Sequence, residues 1–151
     1  MLADDVIASL AAWSPWLPFD DAVIAAPRLP GVYLAREGTG GGLVYVGMAG
    51  ERRGQGLRGR LTVYRRGKAA VSGLGEAVLD RALADPAFVQ QHLDQLLAGQ
   101  PKRAAAWAQD ALRRADLHIR WAVTADRPTA AALERAVLDA LAASPLWNRA
   151  R

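Results

Sequence analysis

The chain has 151 residues, of which 52% are apolar, and this is enough for one domain with a buried core. It contains no cysteine, which excludes disulfides, thiolate metal sites and a cysteine nucleophile, and indicates a reducing compartment. Asp4 and Asp5 stand where a secretory signal would carry Lys or Arg, and no apolar run approaches membrane-spanning length. We therefore expect a soluble, cytoplasmic protein with no membrane partner.

Positive charge is concentrated in one stretch of the chain. The net charge is +4, but residues 44–68 hold seven basic side chains against one acidic, a local excess of six that leaves −2 elsewhere. Such a patch is typical of a protein with a phosphate-rich partner, DNA or RNA above all. The alternative is an ordinary solvated helix face, and charge by itself does not choose between the two.

The first thirty residues predict a short helix followed by a proline-rich strap. Apolar residues recur at helical spacing after the two aspartates, at Val6, Ile7, Leu10 and Trp13. Four prolines between Ser14 and Gly31 then predict a segment without regular structure that crosses the core. The regular fold is expected to begin near Gly31.

Residues 31–48 predict a β-hairpin. "GVYLAR" and "LVYVGM" are β-prone, and "EGTGGG" between them is a cluster of turn residues. With the loop centred near Thr39, Tyr33 and Tyr45 lie near each other on one face. The opposite face then carries Val32, Leu34, Val44 and Val46. Two tyrosine hydroxyls are thus expected at one site.

Gly54, Gly56 and Gly59 after the hairpin spell G-x-G-x-x-G, the pattern of a dinucleotide-phosphate loop. That function requires a βαβ unit with an acidic residue about twenty positions further on, and Glu76 and Asp80 lie near that distance. The preceding hairpin implies antiparallel strands instead, so we interpret the pattern as a chance match.

The rest of the chain predicts alternating helices and one strand within a single domain, residues 1–151. "LRGRLTVYRRG" predicts a helix that ends at Gly67 and places Arg60 beside Tyr64. Residues 75–115 predict two or three helices with breaks near Pro86 and residues 99–101. "LHIRWAVT" predicts a strand, and the segment from Asp126 to a stop before Pro145 predicts a helix.

Glu134 lies on or beside the apolar stripe of that last helix, whereas Arg135 and Asp139 face outward. A carboxylate in this position is costly unless it is paired or binds a cation. The alternative is an edge glutamate that reaches water. His92 and His118 lack acidic or histidine neighbours at metal-ligand spacing and are interpreted as surface or boundary residues.

Five segments, taken together and in order, resemble the GIY-YIG nuclease family. They are "GVY" at 31–33, "VYVG" at 44–47, "LRGRLTVY" at 57–64, Glu134 within "AALERAV", and Asn148 within "LWNR". The resemblance runs from about Gly31 to Asn148. It implies the mixed α/β (α+β) class, with a three-stranded antiparallel sheet flanked by helices, and makes residues 75–115 a helical insertion.

The resemblance implies a metal-dependent endonuclease that hydrolyses DNA phosphodiester bonds. Tyr33 would take a proton from the attacking water and Tyr45 would support it, while Arg60 and Tyr64 would hold and orient the scissile phosphate. Glu134 would bind one Mg²⁺ or Mn²⁺ ion, and Asn148 would brace the site. Tyrosine is a poor base at neutral pH, so the field of Arg60 and of the cation would have to favour its phenolate form.

Two departures from the family pattern leave alternatives open. The loop before Arg60 is long, so Arg58 is an alternative phosphate ligand, and Met48 stands where many members carry a lysine. The remaining candidates for nucleic-acid contact are Arg52, Arg53, Arg58, Arg65, Arg66 and Lys68. A weak or inactive nucleic-acid-binding module and an RNA-cleaving enzyme are the alternative functions. A homodimer or a protein partner, and a setting in DNA repair or restriction, are further expectations.

Overall fold

The computed structural model describes residues 2–149, which form a four-stranded antiparallel sheet and seven α-helices, a mixed α/β fold. In chain order the elements are α1 (Ala3–Leu10), β1 (Leu17–Pro18), α2 (Phe19–Ala25), β2 (Gly31–Glu37), β3 (Leu43–Ala49), a 3₁₀ turn (Arg52–Gly54), α3 (Gly56–Arg65), α4 (Gly73–Leu83), α5 (Pro86–Leu97), α6 (Ala104–Ala115), β4 (Leu117–Val123) and α7 (Arg127–Ala140).

The sheet has the order β1-β4-β2-β3, so β2 is central and β3 is an edge strand. The three predicted strands are confirmed, and the fourth, β1, is a two-residue addition that pairs with β4 at Ile119 and His118. Proline has no N–H to donate and is tolerated in sheets only at edges, which explains why β1 is short and lacks a sequence signal.

The predicted strap is wrong for residues 19–25, which form the seven-residue helix α2. Asp20 and Asp21 lie in its first turn, where negative charge suits the helix dipole. The side chains of Phe19 and Val23 are buried in the hydrophobic core that also contains Tyr33 and Ile119 of the sheet. The prolines therefore bound this helix and do not interrupt it.

The two faces of the sheet carry separate cores. Tyr33, Tyr45 and Ile119 belong to the larger core, which includes α2, α3 and the insertion, and Val32, Leu34 and Val46 pack with α1 and α7. Val44 was expected on the second face but packs with the larger core. A β-bulge between Ala35 and Arg36 shifts the pairing with β3, and such a shift breaks the strict alternation of side chains.

The insertion contains three helices, α4 to α6, as predicted. The boundary position expected for His92 is wrong: its ring is buried, with ring centroids 4.2 Å from both Phe88 and Trp107. Its Nδ1 lies 2.8 Å from the Phe88 carbonyl oxygen, and its Nε2 lies 2.9 Å from Asp110 Oδ2. Among the helices of residues 2–149, none is both long enough and apolar enough to cross a bilayer.

Candidate active site

The predicted meeting of Tyr33 and Tyr45 is confirmed. Tyr33 pairs with Gly47 and Tyr45 with Ala35 across the hairpin, and the two rings stack with centroids 6.2 Å apart. A Cβ at Gly47 would overlap the ring and hydroxyl of Tyr33. The glycine is therefore what allows the Tyr33 ring to lie flat across β3.

Tyr64 on α3 joins the pair from above. Its hydroxyl lies 2.9 Å from the Tyr33 hydroxyl and accepts a 3.2 Å hydrogen bond from the Leu74 N–H at the start of α4. Tyr64 is buried because it continues the stripe of Leu57 and Leu61 that holds α3 on the sheet. The network thus links β2, α3 and the insertion.

Arg60, one turn before Tyr64 on α3, is only partly exposed. Its guanidinium carbon lies 5.0 Å from the centroid of the Tyr64 ring, and its Nε is buried without a hydrogen-bond partner among the described residues. Gly73 marks where the groups converge. A Cβ placed there would lie 2.5 Å from the Tyr64 hydroxyl oxygen, 3.0 Å from Arg60 Nη2 and 3.3 Å from the Tyr45 hydroxyl oxygen.

A cleft of about 480 Å³ opens at the free edge of β3, between α4 and α7. Tyr45, Gly73, Glu134 and Asn148 all line it. Glu134 is half-buried and makes no hydrogen bond or salt bridge within residues 2–149. Burial raises the pKa of its carboxyl above the usual value, and the neighbouring Arg135 opposes this only in part.

Asn148 acts as an additional strand residue beside β3. Its side-chain oxygen accepts from the Val46 N–H at 3.1 Å, and its side-chain nitrogen donates to the Val46 carbonyl at 2.7 Å. The Trp147 N–H also donates to the Val44 carbonyl at 2.6 Å. Both polar groups of an edge-strand residue are thereby satisfied, which holds β3 and the Tyr45 side chain in place.

Other residues of the cleft were missed as site residues by sequence reasoning. Arg149 forms a 2.8 Å salt bridge with Glu76, and the guanidinium of Arg81 lies 4.4 Å from the Trp147 ring centroid. The remaining acidic residue on the wall is Asp80. Glu76 and Asp80 are four residues apart and therefore share a face of α4. Their spacing does not reveal that this face borders the cleft, so the sequence offers no reason to choose them as site residues.

The electrostatics of the tyrosines differ from expectation. Burial raises the pKa of Tyr33 well above its ordinary value, and the field of Arg60 offsets only a small part of this increase. Burial likewise raises the pKa of Tyr45, with Tyr64 adding to the increase. Tyr33 is only 1% exposed and does not line the cleft, whereas Tyr45 does. Both tyrosines are therefore protonated at neutral pH.

The glycine-rich loop does not form a dinucleotide site. All strand pairs in the sheet are antiparallel, and the first N–H groups of α3 are already bonded: Leu57 N–H donates to the Leu29 carbonyl and Arg58 N–H to the Pro27 carbonyl. A Cβ at Gly56 would overlap the Leu29 backbone. Gly56 therefore allows the strap to dock onto α3.

The same docking separates Arg58 from the site. Its Nε donates a 2.8 Å hydrogen bond to the Ala26 carbonyl, away from the tyrosines, so Arg60 is the arginine that reaches them. Arg65 lies 3.7 Å from Asp20 in a salt bridge. Of the other predicted contact residues, Arg52, Arg53, Arg66 and Lys68 are exposed and form no salt bridge within residues 2–149.

Met48 packs against the second core, beside Val32, on the face opposite the tyrosines. A lysine at this position would not point directly at the Tyr33 and Tyr45 rings. Having methionine instead of lysine at position 48 therefore changes the positive charge near the tyrosines less than the family pattern implies.

Glu134 is the residue of the cleft that could hold a divalent cation. Glu134 offers an unpaired, half-buried carboxylate, and oxygen is the ligand that Mg²⁺ and Mn²⁺ prefer. Within residues 2–149 no three acidic, histidine or cysteine side chains group closely enough to hold a metal alone. Such a cation would depend on Glu134 together with water and phosphate oxygens, a common arrangement for Mg²⁺.

Comparison with known proteins finds no matching family model, no matching curated protein and no matching solved structure. The likeness to GIY-YIG nucleases therefore depends on the quoted segments of the sequence.

Proposed function

We propose that this protein is a GIY-YIG-type endonuclease that hydrolyses phosphodiester bonds of DNA with the help of one divalent cation. The observation that carries the proposal is the convergence at Gly73. Arg60, Tyr64 and Tyr45 place a guanidinium and two hydroxyls around one point on the wall of a cleft that also holds Glu134. A cationic donor directly behind the cleft wall at Gly73 and a carboxylate that lines the cleft supply the two charges needed to bind a phosphate and a metal.

Arg60 would hold the scissile phosphate. A guanidinium binds two phosphate oxygens through parallel hydrogen bonds, and its partial burial strengthens this attraction because little water screens it. The Tyr64 ring lies against the guanidinium and holds it in position through a cation–π contact.

Tyr45 would contact the attacking water, because it is the member of the tyrosine pair that lines the cleft. Tyr33 does not line the cleft; its hydroxyl would hydrogen-bond to the Tyr64 hydroxyl and fix the orientation of that group. A Mg²⁺ or Mn²⁺ ion at Glu134, when bound, would supply positive charge that polarises the phosphate and stabilises the leaving oxygen. Asn148 keeps the cleft edge rigid.

The test is cleavage of labelled duplex, flapped, forked and single-stranded DNA and RNA with Mg²⁺ or Mn²⁺. Arg60→Ala and Glu134→Gln are each expected to lower the cleavage rate by about a hundredfold to ten-thousandfold, the scale of electrostatic and metal contributions. Binding of DNA without cleavage of any substrate would refute the enzymatic function.

Two variants serve as matched controls. Asp139→Asn removes a carboxylate from the exposed face of α7, where it pairs with Arg135, and is expected to leave cleavage unchanged. Arg58→Ala removes the hydrogen bond to Ala26 and is expected to retain cleavage near the wild-type rate at permissive temperature. If Arg58→Ala unfolds as the wild type does and is as inactive as Arg60→Ala, the assignment of Arg60 is wrong.

A nucleic-acid-binding module without catalysis is the second candidate function. The observation that favours it is the burial of Tyr33 and the raised pKa of both tyrosines, which leave neither tyrosine ready to act as a base. Cleavage of RNA is the third, because phosphodiester hydrolysis uses the same groups on both backbones. The substrate panel separates all three.

A cytoplasmic role in DNA repair or restriction is the setting that we propose for this activity. One such site cuts one strand, so a double-strand break would need a homodimer, a protein partner or two successive binding events.

A further inference from the structure

A second pocket, of about 220 Å³, lies on the face of the sheet opposite the tyrosines. Trp16 from the strap and the side chains of Arg36 and Arg120 line it, together with residues of α1 and the β2–β3 turn. Arg120 pairs with Leu34 across the sheet, on the face that packs against α1 and α7. Occupancy of this pocket does not depend on nuclease activity, because the sheet separates the two sites.

Two arginines meet here without a salt bridge, although Arg120 Nε donates a 2.9 Å hydrogen bond to the Ser14 carbonyl. The guanidinium carbons of Arg36 and Arg120 lie 4.3 Å and 5.0 Å from the centroid of the same Trp16 ring. Neither arginine forms a salt bridge within the described residues, although Asp4 lies on the pocket wall. Two like charges held together are costly unless something compensates them. Burial, and then the charge of Arg36, lower the pKa of Arg120.

Two buried nitrogen atoms on this face of the sheet lack hydrogen-bond partners, one in the pocket-lining Arg36 and one in His118 beside it. Arg36 Nε and His118 Nδ1 are both buried without a hydrogen-bond partner among residues 2–149. Arg36 and His118 are directly opposite each other in the β2–β4 pairing, so their side chains leave the sheet on the same face. A buried polar atom without a partner is uncommon, and a bound ion or water is one way to satisfy it.

We propose that this pocket binds a small phosphate-type oxyanion between Arg36 and Arg120. Guanidinium forks match the geometry of phosphate oxygens, and an anion here would compensate both positive charges. The volume is below the roughly 300 to 1,000 Å³ of pockets that enclose a drug-sized ligand, so the occupant is a free ion or the terminal phosphate of a mononucleotide. A Cβ at Gly42 would meet nothing within 4 Å, so this part of the pocket wall is open.

The test is an NMR titration of the full chain, labelled with ¹⁵N, that follows the arginine Nε–H signals. Inorganic phosphate, and separately deoxyadenosine 5′-monophosphate, are added at constant ionic strength against chloride. Arg36 and Arg120 are expected to shift together and saturably. A preference for one of the two probes identifies the source of the phosphate, and no saturable shift with either overturns the proposal.

Two variants separate binding from a structural role of the arginine–tryptophan contacts. Arg36→Met keeps the aliphatic stem over Trp16 but removes the charge, and is expected to weaken phosphate binding by about 10- to 100-fold. Arg28→Met removes an exposed arginine elsewhere and is expected to bind as the wild type does. Equal binding by Arg36→Met and Arg28→Met would overturn the site. Should Arg36→Met fail to fold, the wild-type titration still decides.

Discussion

At the scale of single residues, the tyrosine cluster exists because one position in β3 has no side chain. Tyr33 lies across Gly47, and this brings its hydroxyl within 2.9 Å of Tyr64. The glycine of the "VYVG" segment is thus explained by close packing, without any need for an unusual backbone angle. Its role can be measured apart from catalysis.

Gly47→Ala is expected to lower the free energy of unfolding by about 1 to 3 kcal/mol, because the new methyl group overlaps the Tyr33 ring in a packed core. Urea denaturation measures the change. Gly40→Ala is the control, since a Cβ there meets nothing within 4 Å, and it is expected to change stability by less than about 0.5 kcal/mol. Equal effects of the two substitutions would show that Tyr33 does not occupy the space above Gly47.

Glu134 gives a prediction in which stability and activity change in opposite directions. Its pKa is raised by burial, so the folded protein binds more protons than the unfolded chain between the unfolded and folded pKa values. Stability conferred by this group is therefore greatest below that window and is lost as the pH rises through it. Glu134→Gln removes a charge whose burial is unfavourable.

We expect Glu134→Gln to be more stable than the wild type at pH 7.5, with a difference that shrinks as the pH is lowered through the titration of the carboxyl. Urea denaturation across this pH range measures it, without added metal. Asp139→Asn, on the exposed face of the same helix, is expected to show no such gain. A less stable Glu134→Gln at neutral pH would indicate that the carboxylate has a favourable partner in the fold.

At the scale of elements, the first turn of α3 is held by the backbone of residues 27–29, the part of the strap that follows α2. The carbonyls of Pro27 and Leu29 accept from its first N–H groups, and Gly56 leaves room for this contact. The position of Arg60 and Tyr64 over the sheet follows from that docking. The glycine-rich loop therefore controls the site through the orientation of a helix.

Gly56→Ala and Gly54→Ala separate backbone strain from overlap. Both glycines have positive φ, 49° and 83°, but only a Cβ at Gly56 meets the Leu29 backbone. We expect Gly54→Ala to cost about 1 kcal/mol of unfolding free energy for the left-handed backbone alone, and Gly56→Ala about 2 to 5 kcal/mol. Thermal or urea unfolding checks both values. If the two substitutions lower the free energy of unfolding equally, the backbone of Leu29 does not pack against Gly56 as described.

The elements that the sequence predicted well are those with a strong local signal. The hairpin, the helix after Asp126 and the three helices of the insertion follow from apolar period and breaker residues, and the meeting of Tyr33 with Tyr45 follows from alternation. Three features depended on tertiary contacts instead. Helix α2 forms between prolines, the bulge turns Val44 to the other core, and α4 brings Glu76 to the cleft.

The burial of His92 and Tyr33 could not be predicted for the same reason. A histidine that follows two glutamines on a helix has no sequence signal for a buried partner. Asp110, which lies within hydrogen-bond distance of the His92 Nε2, is eighteen residues away. Likewise, the position of Tyr33 behind Tyr45 depends on how α3 and α4 cover the hairpin. Sequence spacing brings the tyrosines together but does not say which one meets solvent.

At the scale of the whole molecule, four exposed basic residues lie at the two ends of α3, whose middle carries Arg60. Arg52 and Arg53 precede the helix, Arg66 and Lys68 follow it, and all four are exposed without an acidic partner among the described residues. Elsewhere, basic residues such as Arg113 and Arg114 pair with Asp110 and Asp85. A nucleic acid that contacts the basic residues at both ends of α3 would pass over Arg60 and Tyr64 in the middle of this helix.

Replacing Arg66 and Lys68 by Ala is therefore expected to lower the salt dependence of DNA binding. Each phosphate contact contributes about 0.9 to the slope of log Kd against log salt concentration for duplex DNA, so the slope should fall by about 2. Fluorescence anisotropy between low and moderate salt, in the Glu134→Gln background so that the duplex stays intact, measures it. Replacing Arg113 and Arg114 by Ala also removes two positive charges, but from pairs that acids already neutralise, and should leave the slope unchanged. If instead the second pair of substitutions lowers the slope and the first does not, DNA runs over the insertion, and the charge around α3 serves only solvation.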